Sequence, residues 1–363
     1  MFIENEKETP LAKYKLLEKY SQFIGLKNNI KTSVGARRAL PLQLSSALFT
    51  EHIDFDLSYF PLKHLGYKVI VASMMDILAM NGVPTQVRVN LALSNRFAEE
   101  AIDELMSGVI FCCSKFKIDL AGLDFKPSAT GLTIAVSMLG EVAPEEAVGR
   151  NGAQENELIC VTGDLGSAYT GLILLEREKK VFEADPSQQP DFIGVDYLLE
   201  RYLKPEPPGL LSTPLIPRQR GICAEGSPSP AGEMCGGLSP AGGGLRRWIN
   251  IKPTSMINLN DGLATGLIHL CNASKLGCTI FEEKLPIDIL TFDKLKELGI
   301  VATTIALNGG EDYELLFTVK QEEYEKIKEI KEVSVIGYMT PEAAGRYIIT
   351  NDNKQFELRA QGF

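Results

Sequence analysis

PLKHLGYKVIVASMMDILAMNGVPTQVRVNLAL, residues 61–93, holds two structural periods in one stretch. Pro61 can open a helix, and Asn81-Gly82 can end it through a left-handed residue. Directly after that stop, Val87, Val89, Leu91 and Leu93 alternate with polar or small residues, the signature of a strand. A helix feeding straight into a strand is the repeating unit of an α/β domain.

Reading outward extends the pattern. Ser94 and Asn95 are N-cap candidates for a helix with Glu99 and Glu100 in its first turn and Ile102, Leu105, Val109 and Phe116 on one face. The run KIDLAG leads to Asp124 at the end of a further strand, and Leu132, Ile134, Val136 and Met138 alternate as another. Residues 40–141 read as strand, helix, strand, helix, strand. Upstream, Tyr14, Leu17, Tyr20 and Ile24 fall near helical spacing over residues 12–25. A second domain opens near Glu157, where ELICVTG runs through Gly163, Asp164 and Gly166 into the helix SAYTGLILLERE. A helix from Asp261, strands GCTIF and YELLFTV, a helix near residues 321–331 and short terminal strands follow. The expected division is an N-terminal segment 1–39, a domain 40–150 and a domain 151–363. Within the last, residues 205–247 are crowded with Pro, Gly and Ser, and Ser-Pro-Ala-Gly occurs at 229–232 and again at 239–242. Such composition buries too little apolar surface to offset its ordering entropy, so a disordered loop is predicted.

Composition narrows the function classes. A chain of 363 residues, 45% hydrophobic and 23% charged, fits two globular domains. No stretch of about 18 apolar residues occurs, and the N-terminus MFIENEKETPLAKYK has no apolar signal core, so no membrane span and a cytoplasmic location are expected. A net charge of −10 argues against nucleic acid as the partner. Seven cysteines, an odd number without a C-x-x-C pair, disfavour a disulfide framework or structural zinc. His52, His64 and His269 are too far apart to suggest a metal pair.

Five places could carry chemistry. In Asn308-Gly309-Gly310-Glu311-Asp312-Tyr313-Glu314, two glycines and three acids run into an apolar strand; this is either a tight turn with solvated acids or a close backbone approach to a ligand. In Asn258-Leu259-Asn260-Asp261-Gly262-Leu263, Asp261 sits at a strand-to-helix junction as an N-cap or a metal ligand. Asp76, flanked by Met75 and Ile77, needs a partner if buried. Asp124 falls where α/β proteins place ligands. Gly163-Asp164-Leu165-Gly166 precedes a helix whose free N–H groups attract anions, although many such turns only connect elements.

Taken in order, these segments resemble the thiamine-monophosphate kinases, of the superfamily that includes aminoimidazole ribonucleotide synthetase and selenophosphate synthetase. The resemblance rests on Lys63-His64-Leu65-Gly66-Tyr67-Lys68, Asp76 to Gly82, Arg150-Asn151-Gly152-Ala153, Val161 to Gly166, Leu203-Lys204-Pro205-Glu206-Pro207, Asp261-Gly262-Leu263 and Gly309 to Glu314. It implies a two-domain α/β (α+β) fold of the aminoimidazole ribonucleotide synthetase type, whose N-terminal domain contributes to a dimeric β-barrel. It also implies transfer of the γ-phosphoryl of ATP, with Mg²⁺, to thiamine monophosphate in a homodimer. Carried over by position, Asp76, Asp124 and Asp261 become metal ligands. Gly122, Arg150, Gly163, Gly166, Gly262, Gly310, Glu311 and Asp312 become ATP or substrate contacts.

The chain departs from the family pattern. The family's G-x-G-D-D loop falls near Ser33 to Ala39, where arginines such as Arg37 replace the acids. Its T-T-D motif reads Ser45-Ser46-Ala47, and its G-G-D-T-T motif reads Gly122-Leu123-Asp124-Phe125-Lys126. Its D-x-S-D-G motif reads Asn258 to Gly262, and the Arg after K-P-x-P is Pro208. Two expectations follow: a kinase weakened by lost Mg²⁺-binding acids, or a catalytically inactive paralogue that binds nucleotide or thiamine phosphate or acts as a dimerisation partner.

Overall fold

A computed structural model describes Lys19, residues 42–208 and residues 251–360. The remainder of the segment 12–25, the Ser33–Ala39 loop and the Pro/Gly-rich run beyond Pro208 lie outside the described residues. The N-terminal layer contains β1 (Leu42–Thr50), α1 (Leu62–Ala79), β2 (Val83–Leu93), α2 (Glu99–Phe116), β3 (Asp119–Pro127) and β4 (Leu132–Glu141). Its sheet has the order β1-β4-β2-β3, with only the β2–β3 pair parallel.

The opening stretch folds as its periods dictate. Pro61 precedes α1, and Asn81 takes the left-handed turn at φ 60°, handing the chain to β2. Val87, Val89 and Leu91 then point into the core. Two details differ from the sequence reading. Neither Ser94 nor Asn95 caps α2, because the helix starts later, behind Ala98. Asp124 lies inside β3 rather than at its end, because pairing with β2 continues to Pro127.

Along α1, every side chain from Leu65 to Met75 is buried, including Lys68 and Ser73. A helix covered on all sides belongs between layers rather than on a surface. α2 closes one side of it through two glycines. A Cβ on Gly66 would sit 2.0 Å from the Leu105 carbonyl oxygen, and one on Gly108 1.9 Å from that of Lys63. Only glycine permits backbones to cross so closely.

The C-terminal layer contains β5 (Leu158–Thr162), α3 (Ser167–Ala184), α4 (Asp196–Leu203), β6 (Ser255–Leu259), α5 (Leu263–Ser274) and β7 (Leu276–Phe281). It continues with α6 (Ile289–Glu297), α7 (Ala302–Asn308), β8 (Glu314–Val319), α8 (Tyr324–Lys328), β9 (Val333–Pro341), β10 (Arg346–Ile349) and β11 (Gln355–Glu357). Its seven strands have the order β11-β10-β7-β9-β5-β8-β6. One hydrophobic core joins the layers: Leu65, Ile70 and Met74 of α1 share it with Tyr202, Met256, Tyr313, Leu315 and Phe317. A second core lies wholly in the C-terminal layer, around Val161, Leu267, Ile280 and Leu316. No helix among the described residues is long and apolar enough to cross a membrane.

Candidate functional site

The two layers meet through polar groups at one end of α1. Asp76 accepts a hydrogen bond from Ser45 Oγ of β1 at 2.8 Å and a longer one, 3.4 Å, from Asn258 Nδ2 of β6. Asn258 Oδ1 is buried and lacks a hydrogen-bond partner among the described residues. A buried acceptor without a donor costs on the order of 1–3 kcal/mol unless something satisfies it. Three residues after Asn258, Asp261 is exposed at the turn into α5. The N-cap position there belongs to Gly262, so Asp261 does not cap the helix and its carboxylate faces outward.

The Gly309–Tyr313 loop docks backbone to backbone on that turn. Glu311 N–H donates to the Asn260 carbonyl at 2.7 Å, and Tyr313 N–H to that of Leu259 at 3.2 Å. Gly310, Glu311 and Tyr313 have φ of 72°, 57° and 49°. Left-handed glutamate and tyrosine are unfavourable and persist only when their surroundings hold them. Here Glu311 is held by Lys68 of α1, whose Nζ lies 3.1 Å from Glu311 Oε2. Burial lowers the Lys68 pKa, and the Glu311 carboxylate opposes that shift.

The neighbouring acids turn inward instead. Asp312 Oδ2 accepts from Gly166 N–H at 2.9 Å, and Oδ1 from Ala168 N–H at 3.4 Å. The start of α3 is therefore occupied by the chain's own carboxylate, so the Gly163–Gly166 turn offers fewer free donors than its sequence suggests. Beside it, Arg201 Nη2 lies 3.1 Å from Glu314 Oε1 and donates to the Asp164 carbonyl at 3.1 Å. Thr162 Oγ1 donates to Glu314 Oε2 at 2.6 Å, and Ser167 Oγ and the Tyr197 hydroxyl both donate to the Asp164 carboxylate. Burial pushes the Asp312 carboxyl up to about 7 against the pull of Arg201 and the Gly166 N–H, and the like charges of Asp164 and Glu314 add to the rise. Three carboxyls around one guanidinium favour retention of one proton.

Asp124 belongs to neither group. It pairs with Asn90 in the β2–β3 register and lies between buried Leu123 and Phe125, so it faces the side of the sheet away from α1. Gly122 shares that outer face, against the Arg88 side chain. Arg150 is exposed in the connection between layers, its carbonyl accepting from Ser274 Oγ at 3.2 Å. The structure thus gathers Asp76, Gly262, Gly310 and Glu311 along the seam and keeps Asp124, Gly122 and Arg150 apart from it. Among the described residues, no three His, Cys, Asp or Glu side chains form a group able to hold a metal ion.

Known proteins are similar to this chain in sequence and in fold. The family model described as AIR synthase related protein, N-terminal domain, matches residues 40–142. The thiamine-monophosphate kinase of Bacillus subtilis is 27% identical over 86% of this chain and 84% of its own length. That of Buchnera aphidicola (subspecies Acyrthosiphon pisum) is 29% identical over 89% of this chain and 86% of its own. The chain is thus similar to the thiamine-monophosphate kinases over most of its length. A solved structure described as AaThiL complexed with AMPPCP and TMP has the same fold, with a TM-score of 0.68 at 23% identity over 88% of this chain and 86% of that one.

Three site residues escaped the sequence reading. Asn258 and Lys68 stand inside family motifs, but nothing in their spacing shows that one borders Asp76 and the other grips Glu311. Arg201 carries no sequence signal, since its partners Asp164 and Glu314 are distant along the chain and meet it only through packing of α3, α4 and β8.

Proposed function

We propose that this protein binds Mg²⁺·ATP and thiamine monophosphate at the seam between α1 and the turns of the C-terminal layer, and transfers phosphoryl weakly. In that reaction a phosphate oxygen of thiamine monophosphate forms a bond to the γ-phosphorus. The bond from that phosphorus to the β,γ-bridging oxygen breaks, and ADP leaves. The observation that carries the reading is the meeting of Asp76 with Asn258 across the layers, beside the turn that presents Asp261.

Asp76, the unpartnered Asn258 Oδ1 and outward-facing Asp261 are the hard oxygen donors that would hold a magnesium ion, since Mg²⁺ is often held by one or two carboxylates together with phosphate oxygens and waters. When bound, the ion would neutralise charge on the transferring phosphates. The protein's part is to hold those oxygens in one place. Ala47, where the family carries an acid, contributes none.

A second copy is part of the proposal. On the outer face of β1, an edge strand, Leu42, Leu44 and Leu48 are each more than 60% exposed. An apolar edge of this kind favours pairing with another sheet. Asp124 lies on the same outer face, where a partner subunit could bring it into use.

The absence of a three-residue metal group among the described residues favours a second reading: a paralogue that binds nucleotide or thiamine phosphate without turnover. Incubation with Mg²⁺·ATP and thiamine monophosphate, with thiamine diphosphate followed by chromatography, separates the two. Turnover lost in Asp76→Asn supports the kinase. Calorimetric binding without turnover supports the paralogue, and absence of both sinks the proposal.

A further inference from the structure

We propose that Lys68 is a positioning residue: its ion pair with Glu311 staples α1 to the left-handed Gly310–Tyr313 loop and so fixes the Asp261 turn against Asp76. The inference rests on the site proposed above, but the contacts that support it do not depend on the reaction. Lys68 is 2% exposed, in the middle of an otherwise apolar stretch of α1. A buried ammonium is costly unless its surroundings are organised around it. They are: Nζ lies 3.1 Å from Glu311 Oε2 and 3.8 Å from the Tyr202 ring centroid, with Phe60 at 5.2 Å. Tyr202 and Phe60 pack edge to face at 5.6 Å, so aromatic rings from both layers flank the charge.

The partner loop is held on its far side by Asp312, which accepts from Gly166 N–H, and by buried Tyr313, while Lys68 ties its near side to α1. Glu311 is left-handed, and its N–H and that of Tyr313 hold the carbonyls of Asn260 and Leu259. Any shift of Glu311 therefore moves the backbone on which Asp261 stands. Two turns further along α1, Asp76 meets Asn258 just before the same turn. The helix thus touches the C-terminal turn twice, once through Lys68 and Glu311 and once through Asp76. Because Lys68 is covered by protein, it acts on ligand only through the loop.

Hydrogen exchange of the full chain tests this. In Lys68→Met, which keeps the stem and removes the charge, amides of residues 309–314 should exchange about tenfold faster, while those of β2 and β4 keep wild-type rates. Lys68→Arg should restore the loop to within about threefold of wild type, and Glu311→Gln should reproduce the Lys68→Met pattern. If Lys68→Met fails to fold, Glu311→Gln decides alone. Unchanged exchange at 309–314, or an equal rise in β2 and β4, overturns the proposal. In parallel, Mg²⁺·AMPPCP affinity should fall about tenfold in Lys68→Met and recover in Lys68→Arg. A wild-type protein that binds no nucleotide removes the site reading, while the exchange result still decides the staple.

Discussion

The acids around Arg201 in the C-terminal layer and Asp76 at the seam between the layers are set differently. Asp312, Asp164 and Glu314 share the buried guanidinium of Arg201 and accept from the Gly166 N–H, the Thr162 and Ser167 hydroxyls and the Tyr197 hydroxyl. Asp76 has one short and one long donor, and Asn258 beside it keeps a bare oxygen. The first arrangement spends its acceptors on holding the protein together. The second has fewer hydrogen bonds and no cation paired with it among the described residues. Acidic residues in such motifs therefore need not share a role: Asp312 and Glu314 hold the loop and strand that carry them, whereas Asp76 links β1 to β6 across the layers.

Replacing Arg201 with Met should break that contrast most severely. Glu314 and Asp164 would lose their buried counter-charge, and unfolding free energy should fall by about 3–5 kcal/mol in urea titration. A loss under about 1 kcal/mol would mean the network is not structural. Asp76→Asn should do the reverse, weakening Mg²⁺-dependent nucleotide affinity by calorimetry about tenfold. Its thermal stability should move by only about 1 kcal/mol, because the amide still accepts from Ser45.

Ala47→Asp sharpens the comparison by addition. Ala47 shares the inner face of β1 with Ser45, so a carboxylate there faces the Asp76 side. Magnesium-dependent affinity should rise severalfold, up to about tenfold, at a stability cost of about 1–3 kcal/mol for burying a polar group. An unaltered magnesium requirement would argue against a cation at this seam.

The smallest effect is a pH slope. The Asp312 pKa is raised in the folded state to about 7, above the unfolded carboxylate range near ~4. Between those limits the folded state holds the extra proton, so this residue makes stability fall as pH rises and contributes no slope outside the window. Asp312→Asn keeps an acceptor for Gly166 N–H but cannot titrate, and should flatten that part of the profile in denaturation at stepped pH. A slope unchanged by the substitution would assign the titration elsewhere.

Much of the fold could be read before the coordinates. Pro61, Asn81 and the alternation from Val87 to Leu93 declared their elements because local sterics and burial period act over a few residues. The start of α2 was misread because Ser94 and Asn95 are good caps in isolation, whereas the helix begins where packing allows. Asp124 was placed at a strand end because it follows the run KIDLAG, yet pairing with β2 carries the strand through it. The site was half legible. Glycines at 262 and 310 do take left-handed backbone, and the turns that hold them interlock. Nothing in the sequence showed that Lys68 of α1 grips the Glu311 turn or that Arg201 of α4 meets Asp164 and Glu314.

The amino-acid order alone set which segments became helix or strand, which faces were apolar, and where glycine had to stand, since those follow from chain sterics and water's exclusion of carbon. Tertiary structure alone decided which acids are buried and paired, as Asp312 and Glu314 are, and which stay exposed, as Asp261 does. That depends on residues far apart in the chain meeting at a few ångströms, a distance at which burial and neighbouring charge, rather than residue type, govern what a carboxylate can do.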